Sequence, residues 1–150
     1  MFLTHDAFKT VVENTPLVSI DLIVRNNLGE VLLGRRVNSP AKGAWFVPGG
    51  RIRKNESIVE AMARLCTDEL GVNRPITNAR FLGPFEHFYE DSVFGRKTST
   101  HYIVLGYEIV DDICMDKLPE VQHLDYTWMS EERMLVSNDV HKYTRAYFID

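Results

Sequence analysis

A chain of 150 residues with 45% hydrophobic and 25% charged residues is long enough for one domain with a real core, and this ordinary mix excludes wholesale disorder. The formal net charge of −4, with both signs interspersed, excludes general nucleic-acid binding, so a phosphate-bearing ligand has to be met by local arginines or a metal ion. No apolar run approaches a membrane span, the N-terminus lacks signal-peptide character, and Cys66 and Cys114 read as reduced core thiols, so the expectation is a cytoplasmic protein without membrane association.

Phe8, Val11 and Val12 at helical spacing ahead of Pro16 predict a short helix over residues 5–14. Leu17 to Val24 alternates and is rich in Val and Ile, which predicts a strand. Asn26-Asn27-Leu28-Gly29 reads as a turn, and Glu30 to Arg36 as a second strand. Trp45-Phe46-Val47-Pro48 ends in Gly49-Gly50, and a long amphipathic helix follows from about Ser57 to Leu70. Residues 80–90 and 99–110 have strand composition and are joined by a polar loop containing glycine. Leu124 to Met129 reads as a short final strand, and residues 131–148 as helix. Strands and helices alternate irregularly, with hairpins as well as crossovers. That pattern predicts an α/β fold, a mixed sheet covered by helices on both faces.

Ser57 and Glu60 form a capping box at the start of the long helix, and Gly71 stands as the C′ residue at its end. At about 100° per residue, Ile58, Met62, Leu65 and Cys66 share one stripe, and Glu69 falls within it. A carboxylate near a buried face needs an arginine, a metal ion or an outlet to solvent where the helix leaves the core. Glu60, Arg64 and Asp68 lie on the opposite face at i,i+4 spacing, as surface ion pairs do.

Gly50, five residues, Glu56, seven residues, Arg64, then Asp68-Glu69-Leu70-Gly71-Val72 resembles the Nudix box, G-x5-E-x7-R-E-U-x-E-E-x-G-U, with U a bulky aliphatic residue. Several fixed positions within 23 residues make a specific signal, and Trp45 to Gly50 resembles the strand that feeds the box. The resemblance implies the Nudix α/β/α sandwich, with a mixed β-sheet between helices, as a single domain over residues 1–150. It also implies hydrolysis of a nucleoside diphosphate linked to another group, with a divalent metal. Two positions depart from the pattern. Leu65 stands where the motif has glutamate, and Asp68 replaces the first glutamate of the later pair. The ligand lost at Leu65 argues against a full multi-metal site and leaves one metal on Glu69.

Within the Nudix family, the branch that hydrolyses GDP-mannose lacks the same glutamate, and its members cleave the sugar carbon–oxygen bond and leave GDP intact. The chain resembles that branch in Met1-Phe2-Leu3, Thr15 to Ser19, Trp45 to Arg51, Thr100-His101-Tyr102, Gln122-His123 and Arg145 to Phe148. The resemblance implies a homodimer acting on GDP-mannose, with GDP-glucose as a second substrate. One Mg²⁺, with Mn²⁺ as the alternative ion, would be held by the Gly49 carbonyl, Glu69 and Gln122. His123 becomes the general base that activates water at the anomeric carbon, with inversion. Arg36, Arg51 and Arg64 are candidates for neutralising the pyrophosphate, and Tyr102 for donating a hydrogen bond to the leaving phosphate. Asp21 interrupts an apolar strand, where it could orient a sugar hydroxyl or a catalytic group. His87 is a further candidate near the site, with a structural role as the alternative. Phe2, Leu3 and Phe8 match positions that line the nucleotide pocket, and packing of the first helix explains them as well. Two rival readings stand beside this one: a conventional Nudix pyrophosphatase cutting a phosphorus–oxygen bond, and a nucleotide-binding Nudix module without turnover.

Overall fold

Leu17–Arg25 (β1) is almost continuously apolar, and it lies in the middle of the sheet with both faces covered. One edge pairs in parallel with Thr100–Val110 (β6), from Leu17 opposite Tyr102 to Arg25 opposite Val110. The other edge is shared. Val31–Arg36 (β2) meets it at Arg25, and Gly49–Arg51 (β4) meets it from Ser19 to Asp21. Trp45–Phe46 (β3) and His123–Met129 (β7) pair antiparallel with β2, and Arg80–Tyr89 (β5) pairs antiparallel with β6. The computed structural model describes residues 2–72, 78–111, 113, 118 and 123–149, with the backbone alone at His123 and Leu124.

Successive strand residues point to opposite faces, and this alternation sorts the core into two layers. Ile20, Leu22 and Val24 of β1 and Leu32 of β2 pack with Ala61, Leu65, Cys66 and Leu70 of the long helix, Ile58–Leu70 (α2). Ile23, Val31 and Leu33 turn the other way, onto Met129, Met134 and Val140. Met134 belongs to Glu131–Val136 (α3), so helices cover both faces of a mixed sheet, as expected. His5–Asn14 (α1) is capped by the Thr4 side chain, which accepts the Ala7 N–H, and it buries Val12. No helix among the described residues is long and apolar enough to cross a membrane.

The capping box of α2 forms in both directions: Ser57 Oγ accepts the Glu60 N–H, and the Glu60 carboxylate accepts the Ser57 N–H. Gly71 closes the helix in the left-handed region at φ 66°, where a side chain would be strained. The buried stripe is Ala61, Leu65, Cys66, Glu69 and Leu70. Ile58, expected on that stripe, is exposed instead, as is the rest of the first turn of α2, and burial begins at Ala61.

The expected helix over residues 131–148 is broken. After α3, Asp139 accepts the Trp45 N–H, Val140 bridges Trp45, and the His141 N–H donates to the Trp45 carbonyl. This pairing takes the backbone groups that a continuous helix would use, and helix resumes only at Lys142–Arg145 (α4), followed by a 3₁₀ turn, Ala146–Phe148.

Candidate active site

The glycine pair of β4 lets three backbones crowd together. A side chain at Gly49 would collide with the Ile20 carbonyl and come within 2.6 Å of Asp21 Oδ1, and one at Gly50 would meet Leu65 Cδ2 at 2.5 Å. With neither present, the later turns of α2 dock on β4 and bring Glu69 Oε1 to 3.7 Å from the Cβ position of Gly50. Glu69 is 6% exposed. Burial, then the neighbouring Asp68, push its carboxyl up to about 7, against the opposing pull of Arg36 and Arg64. Among the described residues, no ion pair or hydrogen bond reaches this carboxylate.

Beside the glycines opens a cavity of about 200 Å³ between β1, the ends of β2 and β4, and the β5–β6 pair. Six of the residues singled out in the sequence line it: Asp21, Arg36, Gly49, Arg51, His87 and Tyr102. The Arg36 Nε–H donates to the Pro40 carbonyl at 2.9 Å, which fixes the guanidinium at the cavity wall. Arg51 lies over the Phe8 ring, 4.2 Å from its centroid. Two fixed guanidinium groups in a cleft of this size suit a pyrophosphate. Burial raises the Tyr102 hydroxyl above its ordinary range, so it stays a hydrogen-bond donor near neutral pH.

Asp21 sits at the floor. Its Oδ2 accepts a 2.6 Å hydrogen bond from the Tyr147 hydroxyl, and its Oδ1 faces Gly49. Burial pushes its carboxyl up to about 7, while Tyr147 and Arg36 pull the other way. His87 is 4% exposed and stacks on Tyr143 at 4.3 Å. Burial, then His141, hold it down at about 4, so it is neutral at pH 7 and acts as an aromatic wall with a polar edge.

Other expected residues stand outside this lining. Arg64 makes a two-pronged pair with Glu56, at 2.7 and 2.9 Å, and donates to the Arg51 carbonyl at 2.8 Å. It therefore braces β4 from behind, and its link to Asp68 is a longer 3.7 Å. Phe8 touches the site only through Arg51, while Phe2, 82% exposed, lies under Arg53, and Leu3 is exposed. Gln122 lies outside the described residues. The His123 backbone pairs with Arg36 across β7 and β2, and its side chain lies outside the described residues.

The sequence reading gave no site role to Ser19, Tyr89 or Tyr147. Ser19 and Tyr89 line the cavity two residues from Asp21 and His87 on their strands, so the period of two could have found both. Tyr147 lies in the resembling segment Arg145 to Phe148, but nothing local links it to Asp21, to which it is brought from the far end of the chain.

The donors fit a hard cation in part. Glu69 supplies a buried carboxylate with no internal partner, and carbonyl oxygens of the glycine pair in β4 are the sort of ligand such an ion takes beside it. Leu65, one helical turn before Glu69, is 2% exposed and packed against the glycine pair, so it offers an apolar side chain where a second carboxylate would stand. Among the described residues, no group of three or more His, Cys, Asp or Glu is placed to hold a metal ion.

The NUDIX domain family matches residues 15–149. A low-salt glycan biosynthesis protein, Agl8 of Haloferax volcanii, is 46% identical over 110 residues, covering 73% of this chain and 69% of that protein. The MutT protein of Methanosarcina mazei Go1 superposes with a TM-score of 0.70 at 26% identity, over 90% of this chain and 92% of its own. The NUDIX domain of Shewanella oneidensis NrtR, solved with ADP ribose, shares the fold at a TM-score of 0.65 and 18% identity, over 97% of each chain.

Proposed function

Because the chain belongs to the NUDIX domain family, we propose that it hydrolyses a GDP-sugar, GDP-mannose first and GDP-glucose second, to GDP and free sugar. Nudix hydrolases act on nucleotide substrates and generally use divalent metals such as Mg²⁺. The finer reading is carried by Leu65. A leucine buried against Gly50 leaves Glu69 as a lone carboxylate beside the glycine pair of β4, a site for one ion rather than a cluster. One ion suits a reaction in which the diphosphate is a leaving group to be neutralised, and not itself the point of attack. Relatedness to a glycan biosynthesis protein agrees with a sugar-bearing substrate.

The residue roles follow from that reaction. Arg36 and Arg51 bind the pyrophosphate, and Tyr102 donates to the leaving phosphate oxygen. Glu69, with the Gly49 carbonyl and Gln122, would hold a single Mg²⁺ that adds positive charge at the diphosphate. His123, opposite Arg36 in the sheet, takes a proton from water as the water oxygen bonds to the anomeric carbon. The carbon–oxygen bond to phosphate breaks, its electron pair leaves with GDP, and the sugar inverts. Asp21 orients a sugar hydroxyl or the attacking water. Residues 1–150 act as one domain, and exposed Phe2 and Leu3 offer apolar surface to a second copy in a homodimer.

The test uses GDP-α-mannose and Mg²⁺ in ¹⁸O-water with mass spectrometry of the products. Label on the free sugar with GDP unlabelled supports attack at carbon. Label on a phosphate sinks this mechanism and makes the protein a conventional Nudix pyrophosphatase. Saturable binding with no product makes it a binding module.

A further inference from the structure

We infer that Tyr147 is a positioning residue for the site, holding the Asp21 carboxylate in one orientation so that a single oxygen, Oδ1, works beside Gly49; this rests on the placement of Asp21 in the reaction proposed above. The hydroxyl donates to Oδ2 at 2.6 Å, a short contact of the kind made to charged acceptors. Oδ1 faces Gly49, where an added Cβ would come within 2.6 Å of it. The hydrogen bond thus holds Oδ2 at Tyr147 and leaves Oδ1 on the Gly49 side.

The Tyr147 ring is itself fixed. Phe85 meets it edge-on, with centroids 4.6 Å apart. Gly106 of β6 leaves the space in which both rings lie: a Cβ there would sit 3.2 Å from Tyr147 Cε1 and 3.3 Å from Phe85 Cε2. Gly106 pairs with Asp21 in the parallel ladder, so the slot and the carboxylate are held in the same register. The glycine is thus explained by the ring it admits, and the ring by the carboxylate it reaches. A tyrosine whose only task was packing would need neither the hydroxyl contact nor a slot aligned with Asp21.

The decisive experiment is a double-mutant cycle on GDP-mannose hydrolysis with Asp21→Asn as the second background. In the otherwise wild-type protein, Tyr147→Phe is expected to lower kcat about 10- to 100-fold, the scale of one hydrogen bond to a charged group, with KM changed less than about twofold. In the Asp21→Asn background the same change should lower kcat less than about twofold. Gly106→Ala, which keeps the hydroxyl but crowds the Tyr147 and Phe85 rings at 3.2 and 3.3 Å, should show the same pattern with a smaller loss. Equal losses in both backgrounds, or an unchanged kcat, would overturn the proposal. If Tyr147→Phe proves too unstable to assay, the cycle is read on Gly106→Ala alone, with the same two criteria. Should the wild type release nothing from GDP-mannose, the proposed reaction has failed and not this one. The cycle is then run on ADP-ribose, where the same coupling supports Tyr147 and its absence overturns it.

Discussion

The two ends of the Nudix box handle a carboxylate in opposite ways. Ahead of α2, Glu56 accepts two hydrogen bonds from Arg64 and one from the Arg53 N–H, and that company holds its carboxyl down at about 2. In the last turn of α2, Glu69 is buried with no such partner, and its carboxyl is pushed up to about 7. The residue type is the same and the distance along the chain is short. What differs is whether the protein supplies the cation. At Glu56 it does, and the group becomes a structural brace. At Glu69 it does not, and the unmet charge is what a bound metal ion would satisfy.

The largest break in this comparison comes from Glu69→Gln. Without the charge that would hold the proposed ion, kcat should fall roughly 10³-fold, the scale of losing a principal electrostatic contact. Added Mg²⁺ should raise the melting temperature of the wild type at pH 8 and leave the variant unmoved. A carboxyl raised from its ordinary 4.5 to about 7 contributes stability below 4.5 that is lost as pH rises through about 7. The variant should therefore lack that loss in urea titrations across this range. A steeper alkaline loss in the variant would contradict the assignment.

Leu65→Ala tests the apolar replacement between the two carboxylates. Removing a side chain that is 2% exposed should lower unfolding free energy by about 2–5 kcal/mol, measured in urea. The ¹⁸O label should stay on the same product, because Glu69, the proposed metal ligand, is untouched. Arg64→Ala removes the brace and should lower stability by about 2–3 kcal/mol at pH 7. Glu56, held below its ordinary value, gives stability that is complete above 4.5 and lost as pH falls toward about 2. In Arg64→Ala that acid-side loss should shrink to the part left by Arg53, and an undiminished loss would mean that Arg64 is not what chiefly holds Glu56 down. The smallest effect belongs to the cap: Ser57→Ala should lower stability by about 1 kcal/mol with kcat unchanged, read by thermal melts and steady-state rates.

Local signals in the sequence led to the right elements, and signals that cross the chain did not. The capping box at Ser57 and the end at Gly71 depend on residues within one helix, and both were readable. Glu69 stood out because it broke an apolar stripe. The tail after α3 was misread because its helix yields to Trp45, a partner far away in sequence that no periodicity of residues 131–148 reveals. Tyr147 was overlooked as a partner of Asp21 for the same reason. Asp21, Arg36, Arg51, His87 and Tyr102 were named partly through family resemblance, and their meeting in one cavity depends on sheet pairings between distant strands.

The parallel pairing of β1 with β6 has a consequence for how the molecule is made. Its partners are more than 80 residues apart, so the central strand gains its full-length neighbour only when most of the chain exists. At about 5–20 residues per second of synthesis, β1 waits for roughly 4–17 seconds with an unsatisfied edge and apolar faces. The nascent chain is thus most prone to misassociation during this interval, and a truncation that ends before Thr100 would preserve that vulnerable state as its endpoint.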